Sequence, residues 1–167
     1  MNKLILSATL LCLAICVAGY NQVKSEDTKG SKATKHKEDK PVSTVSIRYM
    51  IDDVPAAVIF YTTHLEFKLD LDASPAFAAV SRDGVRLLLS GKTSSGRRAM
   101  PDGRTPVPGG WNRIQIQVDD LDAEVKRLRK ADLTFRNEIV KGPGGAQILL
   151  DDPSGNPVEL FEPGAKD

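Results

Sequence analysis

The sequence repeats itself. Setting residues 51–58 (IDDVPAAV) over 118–125 (VDDLDAEV) aligns an aliphatic residue, two aspartates, a second aliphatic, an alanine and a valine at a constant offset of 67. One extra residue in the second copy then brings Leu65 and Phe67 over Leu133 and Phe135. Such self-similarity constrains the architecture before any element is assigned, because each copy folds as the same supersecondary unit and must bury its apolar face against a neighbour.

Both copies open with alternating residues, VSIRYMI (45–51) and NRIQIQV (112–118), the period of a strand with one polar side. The aspartate pairs Asp52–Asp53 and Asp119–Asp120 follow. Their side-chain oxygens suit the free N–H groups of a helix start, and Pro55 is tolerated in a first turn. Val54, Val58, Tyr61 and Leu65 then recur at helical steps, as do Leu121, Val125 and Leu128. Each helix therefore has one apolar stripe and must cover a sheet. Short runs complete the copies: FKLDL, FAAVS and VRLLLS in the first, TFRNEIV, QILLD and PVELFE in the second. Turn-formers at Asp83-Gly84, Gly142 to Gly145 and Ser154-Gly155-Asn156 separate them, so they read as strands. The expected domain, residues 45–163, is α+β, with two β-α-β-β-β modules at 45–91 and 111–163 and a short tail at 164–167.

The rest of the chain differs in composition. Residues 1–19 read as an export signal: Lys3 precedes an apolar run from Leu4 to Ala18 that is too short for a comfortable membrane span. Small residues at Ala18 and Gly19 suit a leader peptidase. Cleavage there is favoured over lipid attachment at Cys16, because the bulky Ile15 precedes that cysteine, and an uncleaved hydrophobic anchor is the remaining alternative. Both cysteines, Cys12 and Cys16, lie in this leader, which leaves the mature chain without a thiol. Residues 20–44 hold six lysines, four acids and almost no large apolar side chains, the composition of a solvated linker. A formal net charge of +1 without a basic, aromatic-laced stripe argues against nucleic acid as a partner.

Between the modules, the loop 92–110 is rich in glycine and proline and carries Arg97, Arg98 and Arg104. Loops of this length inside a domain usually serve a site or move. Two readings stay open: a lid presenting an arginine to an anion, or a connector with solvated charges.

The phrases YMIDDVPAAVIFYTTHLEF and DDPSGNPVELFEP, in this order around the duplication, resemble the glyoxalase, bleomycin-resistance and extradiol-dioxygenase superfamily, also called vicinal oxygen chelate. The resemblance covers residues 45–163 and implies two modules paired into a curved eight-stranded sheet around a cleft, often in a dimer. It also implies metal ligands, in metal-dependent members, on the first and last strands of each module. Counting from the paired aspartates and turn glycines, these positions hold Ser46, Leu88, Arg113 and Glu159. Only Glu159 is a metal ligand by type, and a guanidinium beside an ion would repel it, so no metal and no other cofactor is expected. His36 lies in the linker and His64 near the end of the first helix, outside those positions.

Alternation places Arg48 and Met50 on the face of Ser46, and Trp111, Gln115 and Gln117 on the face of Arg113. Arg86 and Ser90 share the face of Leu88, and Phe161 that of Glu159. The opposite face, with Ile47, Tyr49, Ile51, Ile114, Ile116, Val118, Val158 and Leu160, should pack under the helices. A wall of arginines, amides, one carboxylate and a few apolar groups suits a polar or anionic organic ligand. The candidate ligand-binding set is Ser46, Arg48, Leu88, Trp111, Arg113, Gln115, Glu159 and Phe161. Arg113 and Glu159 either touch the ligand or pair with each other in the vacated metal position. The expected function is an exported, metal-independent small-molecule binder, with a homodimer allowed by the resemblance and no integral membrane segment once the leader is removed. The alternative is an enzyme of the same superfamily, a lyase, isomerase or dioxygenase, with Glu159 as general base beside a carbonyl polarised by Arg113 or Arg48, or with an atypical metal site.

Overall fold

A computed structural model describes residues 45–165 of the chain. The expected leader and lysine-rich linker lie outside the described residues, as do Lys166 and Asp167. The first module contains β1 (Ser46–Met50), α1 (Val54–Ile59), β2 (Lys68–Ala73), β3 (Phe77–Arg82) and β4 (Val85–Ser90). The second contains β5 (Ile114–Gln117), α2 (Leu121–Lys130), β6 (Val140–Gly142), β7 (Gly145–Asp151) and β8 (Pro157–Pro163). The eight strands divide into two four-stranded sheets, one per module, ordered β1-β4-β3-β2 and β5-β8-β7-β6.

The repeat is visible in the pairing. The first strand of each module lies parallel to the last, β1 to β4 and β5 to β8, whereas the hairpin neighbours are antiparallel. A parallel pair needs a crossover, and the helix supplies it. Both helices start as the aspartates suggest. Asp53 Oδ1 accepts from Ala56 N at 2.9 Å and Asp120 Oδ1 from Ala123 N at 2.8 Å. Glu162 on β8 adds an acceptor for Leu121 N at 2.7 Å, tying α2 to the sheet beneath it. At the β3–β4 turn Asp83 and Gly84 both take positive φ, 50° and 79°, the geometry of a tight hairpin turn.

The helices bury one stripe each. In α2 the stripe is Leu121, Val125 and Leu128, as the spacing suggests. The first helix departs from its expected shape: after Ile59 it widens into a π-helical turn over Phe60–His64. The wider turn directs Phe60, Tyr61 and Leu65 together into the core, while Val58 is only partly buried and Ala57 takes the inward place. Beneath the helices lie Tyr49, Ile51, Leu87, Leu89, Ile114, Ile116, Val158 and Leu160, one continuous core across both modules. Each fully buried aliphatic side chain here contributes about 1.5–3 kcal/mol.

Three expectations need correction. Ile47, expected under the helices, is 38% exposed at the outer end of β1. The run TFRNEIV is not a continuous strand: Phe135 makes an isolated bridge to Leu150, and regular pairing resumes only at Val140. The physical reason is Asn137, whose side-chain oxygen accepts from Leu149 N at 3.0 Å and so replaces a backbone ladder bond. Trp111, Asn112 and Arg113 precede β5 rather than lying in it.

A polar junction joins the modules. Asp152, 4% exposed, accepts from Ser154 N, Asn156 N and Asn156 Nδ2 at 2.8–2.9 Å and from the Tyr61 hydroxyl at 3.1 Å. Asn156 donates also to Met50 O at 2.9 Å and accepts from Gly109 N at 2.8 Å, reaching both β1 and the inter-module loop. Asp52 N donates to Ser154 Oγ, and Ile114 N donates to the Tyr49 hydroxyl at 3.0 Å. Burial pushes the Asp152 carboxyl up, against the opposing pull of the hydrogen bonds from Asn156, Ser154 and Tyr61. Burial and then the Asp152 charge push the Tyr61 hydroxyl well above the ordinary phenol range.

Two outcomes follow for stability. Asn156→Ala removes bonds to both modules and to the loop and should cost about 2–3 kcal/mol in urea denaturation. For Asp152 the folded-state pKa lies above the unfolded one, so its stabilising contribution is complete below about pH 4 and is lost as pH rises through the elevated folded value. In Asp152→Asn the urea midpoint should lack this decline above about pH 4; an unchanged profile would refute it.

Candidate functional site

The candidate residues gather on the strand faces turned away from the helices, here called the inward faces. In the second module Gln115 pairs with Glu159 across β5 and β8, and Arg113, just before β5, reaches the same carboxylate. The Glu159 carboxylate is 4% exposed, and both oxygens are engaged: Oε2 accepts from Arg113 Nε and Oε1 from Gln115 Nε2, each at 2.6 Å. Arg113 donates as well to Trp111 O at 3.3 Å. Leu149 faces Glu159 from β7, and Gln147 faces Phe161, which is half-buried.

In the first module Arg48 pairs with Leu88 across β1 and β4, while Ser46 pairs with Arg86. Arg48 Nη1 donates to the buried Ser90 Oγ at 2.6 Å. Among the described residues no carboxylate pairs with Arg48, which remains exposed, whereas Arg86 lies 3.5 Å from Asp70. The loop backbone at Gly96 covers part of the Arg48 side chain, and a Cβ there would come within 2.8 Å of Nη1. Arg48 and Gln115 are equivalent by the 67-residue offset.

The loop arginines separate in role. Arg97 is turned inward with its side chain 9% exposed, donating to Ile51 O at 2.9 Å, to Asp52 Oδ1 at 2.8 Å and to Pro106 O at 3.3 Å. It fixes the loop to the end of β1 and is not presented to an anion, and its guanidinium holds the Asp52 carboxyl below the usual range. Arg104 pairs with Asp102 within the loop. Trp111 stands exposed over Arg136, 5.5 Å from ring centre to guanidinium carbon.

The structure thus unites Arg113, Gln115 and Glu159 in one cluster and Arg48 with Ser90 in another. Ser46 and Leu88 supply wall without a polar contact between them. A groove of about 220 Å³ runs beside β5, lined by Ile114 to Gln117 and by Phe67, Arg82, Asp83 and Val85. Of the candidate residues it includes Gln115 alone. Sequence reasoning missed Arg136, Asp151 and Gln147. Asp151 and Gln147 were legible by alternation along β7, but Arg136 lies in an irregular segment that was read as strand.

With the geometry in place, comparison with known proteins decides the family. The profile described as the Glyoxalase/Bleomycin resistance protein/Dioxygenase superfamily matches residues 44–160. The chain belongs to this superfamily. Among solved structures it is similar to a superfamily member from Sphaerobacter thermophilus, at 27% identity and a TM-score of 0.56, covering 72% of this chain and 96% of that one. It is similar also to an antibiotic-binding protein from a Streptomyces species, at 25% identity and a TM-score of 0.55, covering 75% and 100%. Its fold is shared with a lactoylglutathione lyase from Agrobacterium tumefaciens, at 22% identity and a TM-score of 0.56, covering 74% and 96%. No curated protein sequence matches the chain.

The metal that many superfamily members carry finds no fitting donor set here. Of Ser46, Leu88, Arg113 and Glu159, only the last is a metal ligand by type, and both its oxygens are held by a guanidinium and an amide. Among the described residues, no three histidine, cysteine, aspartate or glutamate side chains come together as a metal site. Arg113 and Glu159, at two of these positions, pair with each other. Arg113→Met should therefore cost about 2–3 kcal/mol by leaving a buried carboxylate with one partner, whereas the double variant Arg113→Met/Glu159→Met should recover most of that loss in a double-mutant cycle.

Proposed function

We propose that the chain is an exported, metal-independent binder of a polar or anionic small molecule, held on the inward strand faces. The observation that carries the reading is the engagement of Glu159 by Arg113 and Gln115, which converts the superfamily's metal position into a fixed hydrogen-bonding wall. Arg48, exposed and without a carboxylate partner among the described residues, is the anchor for a carboxylate or phosphonate group, with Ser90 orienting its guanidinium. Ser46, Leu88, Trp111 and Phe161 add wall and apolar area around these groups. The similarity to an antibiotic-binding protein supports binding over turnover.

Residues 1–19 act as a cleaved leader and 20–44 as a linker ahead of the binding domain, 45–163. Among the described residues no helix is long and apolar enough to cross a membrane. A second copy is the natural cover for the exposed polar faces, which one chain leaves open at Arg48, Arg113 and Gln115. The enzyme alternative, with Glu159 as base, requires a bond from Arg113 or Gln115 to open during turnover. Unchanged turnover of a substrate by Glu159→Gln would dismiss it.

Elemental analysis after dialysis tests the metal-independent reading: no stoichiometric divalent ion should remain, and stoichiometric retention would overturn it. A thermal-shift screen of small carboxylates and phosphonates should raise the Tm of the wild type by mass action, with the effect lost in Arg48→Met.

A further inference from the structure

Trp111 is the chain's single tryptophan and is 75% exposed, whereas Tyr49, Phe60, Tyr61 and Phe67 are buried. A single exposed apolar side chain is by itself ordinary. The position of this one is nonetheless fixed. Arg136 lies under the ring at 5.5 Å, and that guanidinium is itself held by Asp151 Oδ1 at 2.6 Å and by Gly155 O at 3.0 Å. Asp151 shares the inward face of β7 with Leu149 and Gln147, so this stack is continuous with the face that bears Gln115 and Glu159. Next to it, Arg113 donates to the Trp111 carbonyl.

The charges on this face cancel in pairs. Arg113 is matched by Glu159 and Arg136 by Asp151. A charged occupant would find no unpaired partner of opposite sign in these two pairs, whereas a flat uncharged one needs none. The amides of Gln115 and Gln147 can give and take hydrogen bonds without any charge.

From this geometry we infer that Trp111, positioned by Arg136, is a stacking platform for a flat, uncharged aromatic group that carries hydrogen-bonding substituents. The inference rests on the small-molecule-binding reading above and narrows it for the second module's face: the aromatic part of the ligand lies against Trp111 and its polar substituents meet the glutamine amides. Arg136 acts through Trp111 and is a positioning residue.

The test uses isotope-labelled full-length protein and two probes of the same polar group and similar size, 2-naphthamide and decahydro-2-naphthamide. With a single tryptophan, the indole N–H gives one assignable resonance. 2-Naphthamide should move it saturably and bind about five-fold more tightly than its saturated analogue, the margin expected of aromatic stacking beyond area burial. Trp111→Leu should abolish that preference, and Arg136→Met should reduce it. Since the indole is exposed, Trp111→Leu leaves the core intact and decides the matter even where Arg136→Met lowers stability. If the Gln115 and Gln147 amide resonances respond while the indole does not, or if both probes bind alike, the platform is refuted and the polar face still binds. If no resonance on this face responds to either probe, the platform and the ligand-binding reading of this face fall together.

Discussion

The buried carboxylate of Asp152 is the interaction on which the arrangement of the two modules depends. It sits in the turn between β7 and β8, yet its partners reach the first module through the Tyr61 hydroxyl and, through Asn156, the carbonyl of Met50 and the loop at Gly109. A carboxylate so little exposed is tolerable only because four donors converge on it. Apolar packing between the modules holds them together without specifying one alignment, whereas these bonds require one.

The two faces show what duplication leaves free to diverge. Strand order, parallel pairing and the capping aspartates are the same in both copies because they maintain the unit. The side chains on the inward faces do not maintain it, and there the copies differ. At equivalent positions Arg48 donates to a serine and Gln115 donates to Glu159. Among the described residues the first face keeps an uncompensated positive charge at Arg48, while the second is neutral by pairs. Glu159, which would otherwise be an isolated buried charge, has two well-placed partners.

Much of the fold was legible beforehand because it follows from local chemistry and period. The alternation in 45–51 and 112–118, the aspartate caps and the Asp83-Gly84 turn are set by neighbouring residues alone, and the repeat supplied the pairing of modules. Where tertiary partners intervene, the reading failed. Asn137 substitutes its side chain for a ladder bond and breaks a run that alternates like a strand. Phe60 and Tyr61 widen the helix into a π-helical turn so that both rings enter the core. Arg97 looked available to an anion because its charge was visible in the sequence, and its acceptors, the Ile51 carbonyl and Asp52, were not.

By itself the sequence determined the α+β class, the duplication, the four equivalent positions and the poverty of metal donors among them, since each of these depends on residue type and spacing along the chain. Only the tertiary structure decided that Arg113 and Gln115 take both oxygens of Glu159, that Arg48 keeps its charge free of a carboxylate among the described residues, and that Arg136 braces Trp111. Those are pairings between residues 20 to 50 positions apart, and a hydrogen bond at that separation is chosen by register and loop path, which no local preference encodes.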